Sequence, residues 1–327
     1  MTASSVRIQE FAAAIEPDDL RRTMAEEVCS GLVQRPKQLP SKYLYDARGC
    51  ELFDEITRLP EYYLTRAETE ILQTSADDIV AVAKPEVIVE LGAGYCTKTK
   101  LLIAAARRAG TLVYFVPTDV SPAAIAEATR SLPREFPALQ VHGVVAEFES
   151  VAHLPRFGRQ MVIFLGSTIG NLDDDARGRF LHRIRGMLEP GDSFLLGVDL
   201  VKDVQELHDA YNDAAGVTSE FTSNMLRVLN RELDAEFDLA SFEHEADYNA
   251  DRRRIEIYLR SKRRQSVRIG ACDMVVDFDA GERMRTEISV KFERHALAKE
   301  LESAGLHLRG WFTDSRDRFA LALATPA

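Results

Sequence analysis

The feature that most constrains the fold is a rhythm between residues 87 and 200. Short apolar runs at 87–91, 112–117, 141–145, 161–165 and 193–200 alternate with helical patterns at 98–108, after Ser121-Pro122, and at 180–188. Runs this apolar, with no regular alternation of polar residues, leave no face for water, so they read as strands of a parallel sheet with helices on both faces. Parallel neighbours need long crossovers, and the intervening helices supply them. Ser121 suits an N-cap and Pro122 the first helical position. The predicted class is therefore α/β, a doubly wound Rossmann-like sheet. In such sheets ligands lie in the crevice beyond the carboxyl ends of the strands.

The flanking sequence lacks this rhythm. The first 40 residues read as one or two helices, with Pro17 near a helix start. An aromatic, turn-rich stretch from Tyr43 to Tyr63 follows, then a helix over 65–82. Beyond Val201 the pattern gives helices at 204–215 and 222–233 and strands at 254–260, 266–272 and 287–292. The last residues return to a core pattern: a helix at 295–304 and strands at 306–311 and 319–323. The expected organisation is an α/β ligand domain over 67–200, completed by a closing helix and hairpin over 292–327. A second, α+β domain is formed by the 1–66 segment and an insertion over 201–291.

Composition narrows the function. The 327 residues carry a formal net charge of −11, which disfavours nucleic acid or an anionic membrane, since either rewards a basic face. The basic triplets Arg252-Arg253-Arg254 and Lys262-Arg263-Arg264 flank an expected strand, where charges discourage edge pairing. Cys29, Cys50, Cys96 and Cys272 show no C-x-x-C pair, so neither a disulfide framework nor a metal site is expected. With no signal-like or membrane-length apolar stretch, the expectation is a cytoplasmic monomer with a small-molecule partner.

The chemistry concentrates at the first strand end, Val89-Glu90-Leu91-Gly92-Ala93-Gly94. Glycines there permit a tight turn and close approach of a ligand. The dinucleotide fingerprint needs a third glycine where Thr97 stands, so pyrophosphate is disfavoured. An acid inside the strand, Glu90, instead resembles motif I of the class I S-adenosylmethionine (SAM)-dependent methyltransferases. SAM offers an amine, a carboxylate and a ribose diol, which acids and backbone groups can hold. Asp119, ending the second strand, suits the ribose hydroxyls. Glu147 and Phe148, after the third, suit the adenine amino group and ring.

Longer segments sharpen the resemblance. Leu59-Pro60-Glu61-Tyr62-Tyr63, Phe164-Leu165-Gly166-Ser167-Thr168-Ile169-Gly170-Asn171, Asp199-Leu200-Val201-Lys202-Asp203, Tyr211-Asn212-Asp213-Ala214-Ala215-Gly216 and Thr286-Glu287-Ile288-Ser289-Val290-Lys291 together resemble the histidine-specific Nα-methyltransferase family of ergothioneine biosynthesis. The likeness runs from about Pro40 to the end. It implies conversion of L-histidine to its Nα-trimethyl betaine, hercynine, with S-adenosylhomocysteine as the other product and no metal. By this resemblance Glu90, Gly92, Gly94, Lys98, Asp119, Glu147 and Phe148 form the SAM site. Tyr62, Gly166, Asn171 and Tyr211 hold the amino-acid end of the acceptor, with Tyr62 and Asn171 as the catalytic pair. Glu287 and Ser289 read the imidazole, and Ile257 walls it.

The sequence departs from the family pattern at three places. Ala146-Glu147-Phe148 replaces the common Gly-Asp-Phe, Ile257 stands where methionine is expected, and Tyr95-Cys96-Thr97 is bulky for the loop after Gly94. The β-branched Ile257 stiffens a wall that methionine would leave adaptable. Another aromatic amino acid, such as tryptophan, is the alternative acceptor, and a non-catalytic SAM-binding protein is the alternative of a different class.

Overall fold

The computed structural model describes residues 17–146 and 156–327, the first four as backbone only. Helix α1 (Pro17–Leu32), the short strand β1 (Lys37–Gln38), α2 (Ala47–Ile56) and α3 (Leu64–Ala83) precede the first long strand. Alternation then sets in: β2 (Val87–Leu91), α4 (Thr99–Arg108), β3 (Tyr114–Asp119), α5 (Pro122–Glu135), β4 (Gln140–Val141), β5 (Val144–Val145), β6 (Gln160–Phe164), α6 (Asp174–Met187) and β7 (Ser193–Asp199). Two helices follow, α7 (Val204–Tyr211) and α8 (Val217–Leu233), and then β8 (Phe242–Asn249), β9 (Arg254–Ser261), β10 (Gln265–Ile269), β11 (Met274–Phe278) and β12 (Arg283–Val290). The chain closes with α9 (Arg294–Ser303), β13 (Leu306–Thr313) and β14 (Phe319–Pro326).

The chain divides into two compact units. The first takes the described residues of 66–200 together with 292–327, and the second takes those of 15–65 together with 201–291. The first unit is built on a sheet of order β13-β14-β7-β6-β2-β3-β4, with β5 also pairing β3. Strands β7, β6, β2, β3 and β4 run parallel, whereas β14 is antiparallel to β7 and to β13. Every residue of β2, β6 and β7 is buried, as their predominantly apolar sequences require. This is a doubly wound α/β sheet with an antiparallel closing hairpin. The expected third strand is split at Gly143, where a Cβ would lie 2.4 Å from the Ile125 side chain. Helix α6 begins six residues earlier than its apolar pattern suggests, because Asp173 caps it by accepting from Ala176 N–H at 2.9 Å.

The second unit has a mixed four-stranded sheet, β1-β12-β9-β8, and a separate β10–β11 hairpin. Helix α8 packs its Phe221, Met225, Leu226 and Leu229 face inward, against α2 and β8. Asp46 caps α2 through Gly49 N–H at 2.8 Å and reaches α8 through Asn224 and Arg231. The expectation of no disulfide is corrected here: Cys29 of α1 and Cys272, just past β10, are bonded. They stand 243 positions apart, so spacing along the chain carries no sign of their adjacency. Among the described residues no helix is long and apolar enough to cross a membrane.

Candidate active site

In the first unit the parallel strands β2, β3 and β6 present their carboxyl ends side by side. Gly92 and Gly94 follow β2 with φ of +67° and +49°, a left-handed conformation that glycine adopts without penalty. A Cβ at either would meet no atom within 4 Å, so the backbone here is open to close approach. Asp119 holds this turn: its Oδ2 accepts from Gly94 N–H at 2.8 Å and its Oδ1 from Ser121 N–H at 2.9 Å. Each oxygen keeps a second lone pair for a further donor.

Glu90 lies behind the turn, 4% exposed. Its Oε1 accepts from the Thr99 hydroxyl, while Oε2 is buried with no hydrogen-bond partner. Burial pushes its carboxyl up to about 8, partly offset by the Thr99 bond and the nearby Lys98 charge. The bulky Cys96 is accommodated by turning its backbone to φ +54° and burying the thiol, which burial pushes up. Lys98 forms an ion pair with Glu68, a fully buried acid of α3. Gly166, past the end of β6 with φ +76°, donates its N–H to Glu68 Oε1 at 2.8 Å and Oε2 at 3.1 Å. Ser167 follows in the left-handed region, its Oγ accepting from Asp199 N–H at 2.9 Å. The 3₁₀ turn Thr168–Asn171 then carries Asn171 at its end.

The second unit gathers the remaining candidates. The Tyr211 hydroxyl lies 2.8 Å from Ser289 Oγ, and the Lys291 ammonium donates to both at 2.8 Å. Lys291 also lies over the Tyr211 ring, 4.6 Å from its centroid. Tyr211 packs edge-on against Tyr62 at 6.3 Å, and Tyr62 against Phe53 at 6.2 Å. His244 braces the Tyr211 backbone, one ring nitrogen 2.9 Å from its carbonyl, and burial lowers its basicity. Glu287 of β12 pairs in register with Ile257 of β9, and Ile257 is 2% exposed. No bulge separates Glu287 from Ser289, so both side chains leave the same face. Tyr45 joins this group, its hydroxyl held well above the usual tyrosine range by burial first and by Glu287 second.

Each unit thus collects its own set: Glu90, Gly92, Gly94, Lys98, Asp119, Gly166 and Asn171 in the first, and Tyr62, Tyr211, Ile257, Glu287 and Ser289 in the second. Glu147 and Phe148 lie outside the described residues. Three contributors escaped the sequence reading. Lys291 continues the alternation of Glu287 and Ser289, a visible signal. Glu68 stands in the stripe Leu64, Ala67, Glu68, Ile71, Leu72, an acid on an otherwise apolar helix face. Tyr45 carries no such signal.

A family model described as histidine-specific methyltransferase, SAM-dependent, matches residues 24–326. The chain belongs to this family. Histidine N-alpha-methyltransferase of Mycobacterium tuberculosis is 47% identical over 302 residues, 92% of this chain and 94% of that protein. The enzyme of the same name from Mycolicibacterium smegmatis is 47% identical over 315 residues, 96% of this chain and 98% of its own. Ergothioneine biosynthesis protein 1 of Schizosaccharomyces pombe is 32% identical over 243 residues, 70% of this chain but 31% of its own length.

The residues present fit the donor that the family uses. A buried carboxylate oxygen without a partner, Glu90 Oε2, is a natural acceptor for an ammonium or hydroxyl. The open backbone at Gly92 and Gly94 leaves room that side chains would fill. No phosphate is needed to explain either feature.

Proposed function

We propose that this chain transfers methyl groups from SAM to the α-amino nitrogen of L-histidine, ending at the Nα,Nα,Nα-trimethyl product, as the first step of ergothioneine biosynthesis. The observation that carries the reading is the end-to-end identity of 47% with two histidine N-alpha-methyltransferases. The pairing of a carboxylate and a hydroxyl on one strand face, Glu287 and Ser289, supports it. Imidazole presents one donor and one acceptor, or two donors when protonated, and this pair can match either state.

When bound, SAM supplies an activated methyl on a sulfonium that is already a good leaving group, so the protein's task is alignment and exclusion of water. Gly92, Gly94 and Asp119 would hold the donor through backbone and carboxylate, with Glu90 and Lys98 serving its amino-acid end and, by the family resemblance, Glu147 and Phe148 its adenine. Tyr211 and Asn171 bind the acceptor carboxylate, beside Gly166. The buried Lys291 strengthens Tyr211 for that role: accepting from Lys291 polarises the phenol and makes it a better donor. Asn171 and Tyr62 orient the amine, which must be neutral to attack and whose ordinary pKa of about 8 or above means it arrives mostly protonated. Its proton leaves toward Tyr62 or a water held there, so no strong base is required. Successive transfers ask that hydrogen bonds to nitrogen give way to methyl contacts, which the ring of Tyr62 can provide.

Ile257 gives the competing acceptor its best footing, because a stiff, buried β-branched wall opposite Glu287 reshapes the space for the ring. Incubating the full chain with SAM and each of the twenty amino acids, with mass detection, separates the readings. Histidine gaining one, two and then three methyl groups supports the proposal; methylation of tryptophan in preference, or of no amino acid, contradicts it.

A further inference from the structure

Glu68 is a fully buried carboxylate on α3 that belongs to neither set of proposed ligand contacts, yet it bonds to one residue of each. Its carboxylate pairs with Lys98, assigned above to the donor, and accepts the N–H of Gly166, which opens the loop leading to Asn171. The fold makes room for it at some cost. Gly197, in the middle of β7, leaves the space the acid occupies: a Cβ there would sit 2.2 Å from Glu68 Oε1 and 3.3 Å from Gly166 N, so a side chain would have to push the carboxylate aside. A Cβ on Gly166 would lie 3.8 Å from Lys98 Nζ, so lysine, turn and acid occupy one small volume.

Burying an ion pair is weak evidence of stabilisation, since desolvation offsets most of the attraction. Lys98, by contrast, is 24% exposed at its side chain and would sample many rotamers if untethered. Fixing its ammonium with one of three donors leaves the other two aimed in a set direction, and such preorganisation is worth affinity. The same carboxylate fixes Gly166 in a left-handed turn, from which Thr168–Asn171 departs.

We infer that Glu68 is a positioning residue that locks the Lys98 ammonium and the Gly166–Asn171 loop into one geometry, so that donor affinity and turnover both depend on it. This rests on the reading that Lys98 contacts SAM. The test uses calorimetry on the full chain with SAM and S-adenosylhomocysteine, and therefore needs no acceptor. Glu68→Gln keeps an oxygen for Gly166 N–H but gives up the charge that holds Lys98. It should weaken both ligands by about tenfold, and equally, because their carboxylate is common to both. In a Lys98→Met background, itself weakened, Glu68→Gln should add little further loss, as expected of residues acting through one another. Gly197→Ala, which keeps both charges but displaces the carboxylate, should reproduce the loss and so covers the case in which the glutamine variant does not fold. Turnover with histidine should fall in Glu68→Gln beyond the change in the donor KM. Unchanged or tighter binding in both single variants, or fully additive losses in the double variant, would overturn the inference. Failure of the wild-type chain to bind SAM at all would instead strike the proposed function.

Discussion

Glu90 is the residue whose chemistry is least ordinary. An acid with a usual value of 4.5 is pushed to about 8 by burial, and of the charged groups around it Lys98 lowers the value while Glu68 raises it. A carboxyl whose folded value is raised contributes stability fully below its unfolded value and loses it as pH rises through the folded one. The chain without ligand should therefore lose stability between pH 4.5 and about 8, and Glu90→Gln should remove that part of the decline in thermal melts recorded across the window. A cationic donor favours the ionised form, so SAM affinity should climb with pH up to about 8 and level off above it, while Glu90→Gln gives a flatter profile. Identical profiles for the two proteins would show that Glu90 does not titrate in this range. Asp119 illustrates a different balance. Its carboxylate both holds the turn through Gly94 and Ser121 and keeps lone pairs for a ribose, and the two roles do not compete.

At the scale of elements, legibility followed burial. Strands β2, β3, β6 and β7 announce themselves because parallel strands covered on both faces are mostly apolar, with the polar residues confined largely to their ends. Strand β8 does not. It is a sheet edge in which Phe242 and Ala246 alone are buried, and its Glu-His-Glu and Asp-Tyr-Asn residues read as loop. Strand β11, with its Val-Val-Asp-Phe sequence, is short and pairs only with β10. Helix α2 is hidden by Gly49 within it and by Tyr43 and Tyr45 just ahead of it. What defines it is the cap from Asp46, a residue that also accepts from Asn224 at 2.7 Å and pairs with Arg231 of α8. Losing an N-cap costs roughly 1 kcal/mol, with a range of about 0.5–2. Asp46→Ala should therefore lower stability by about 1–2 kcal/mol in urea unfolding, toward the upper end because the Asn224 bond goes too. A midpoint that does not move would show that α2 needs no cap.

Taken whole, the molecule devotes one unit to an open α/β sheet and another to a mixed sheet with helices, and the candidate groups distribute between them by chemistry. Acids and glycines near strand ends belong to the first, and aromatic hydroxyls with Glu287 and Ser289 to the second. The proposed donor site could be argued from strand-end residues, because sheet topology fixes where ligands go. The acceptor side was readable only through resemblance, since Tyr62, Tyr211 and Glu287 are far apart in sequence and none stands in a local pattern of its own. In the fold, Tyr211 of α7 meets Ser289 of β12, and Tyr62 links Tyr211 to the aromatic group of Phe53, Tyr45 and Phe221. The central claim is that this cluster reads an imidazole. Its most direct test compares kcat/KM for histidine and for tryptophan in the wild-type chain and in Glu287→Ala. A buried imidazole donor left unpaired costs about 1–3 kcal/mol, so the variant should lose roughly tenfold to a hundredfold on histidine, with little change on tryptophan. Equal losses on both amino acids would contradict it.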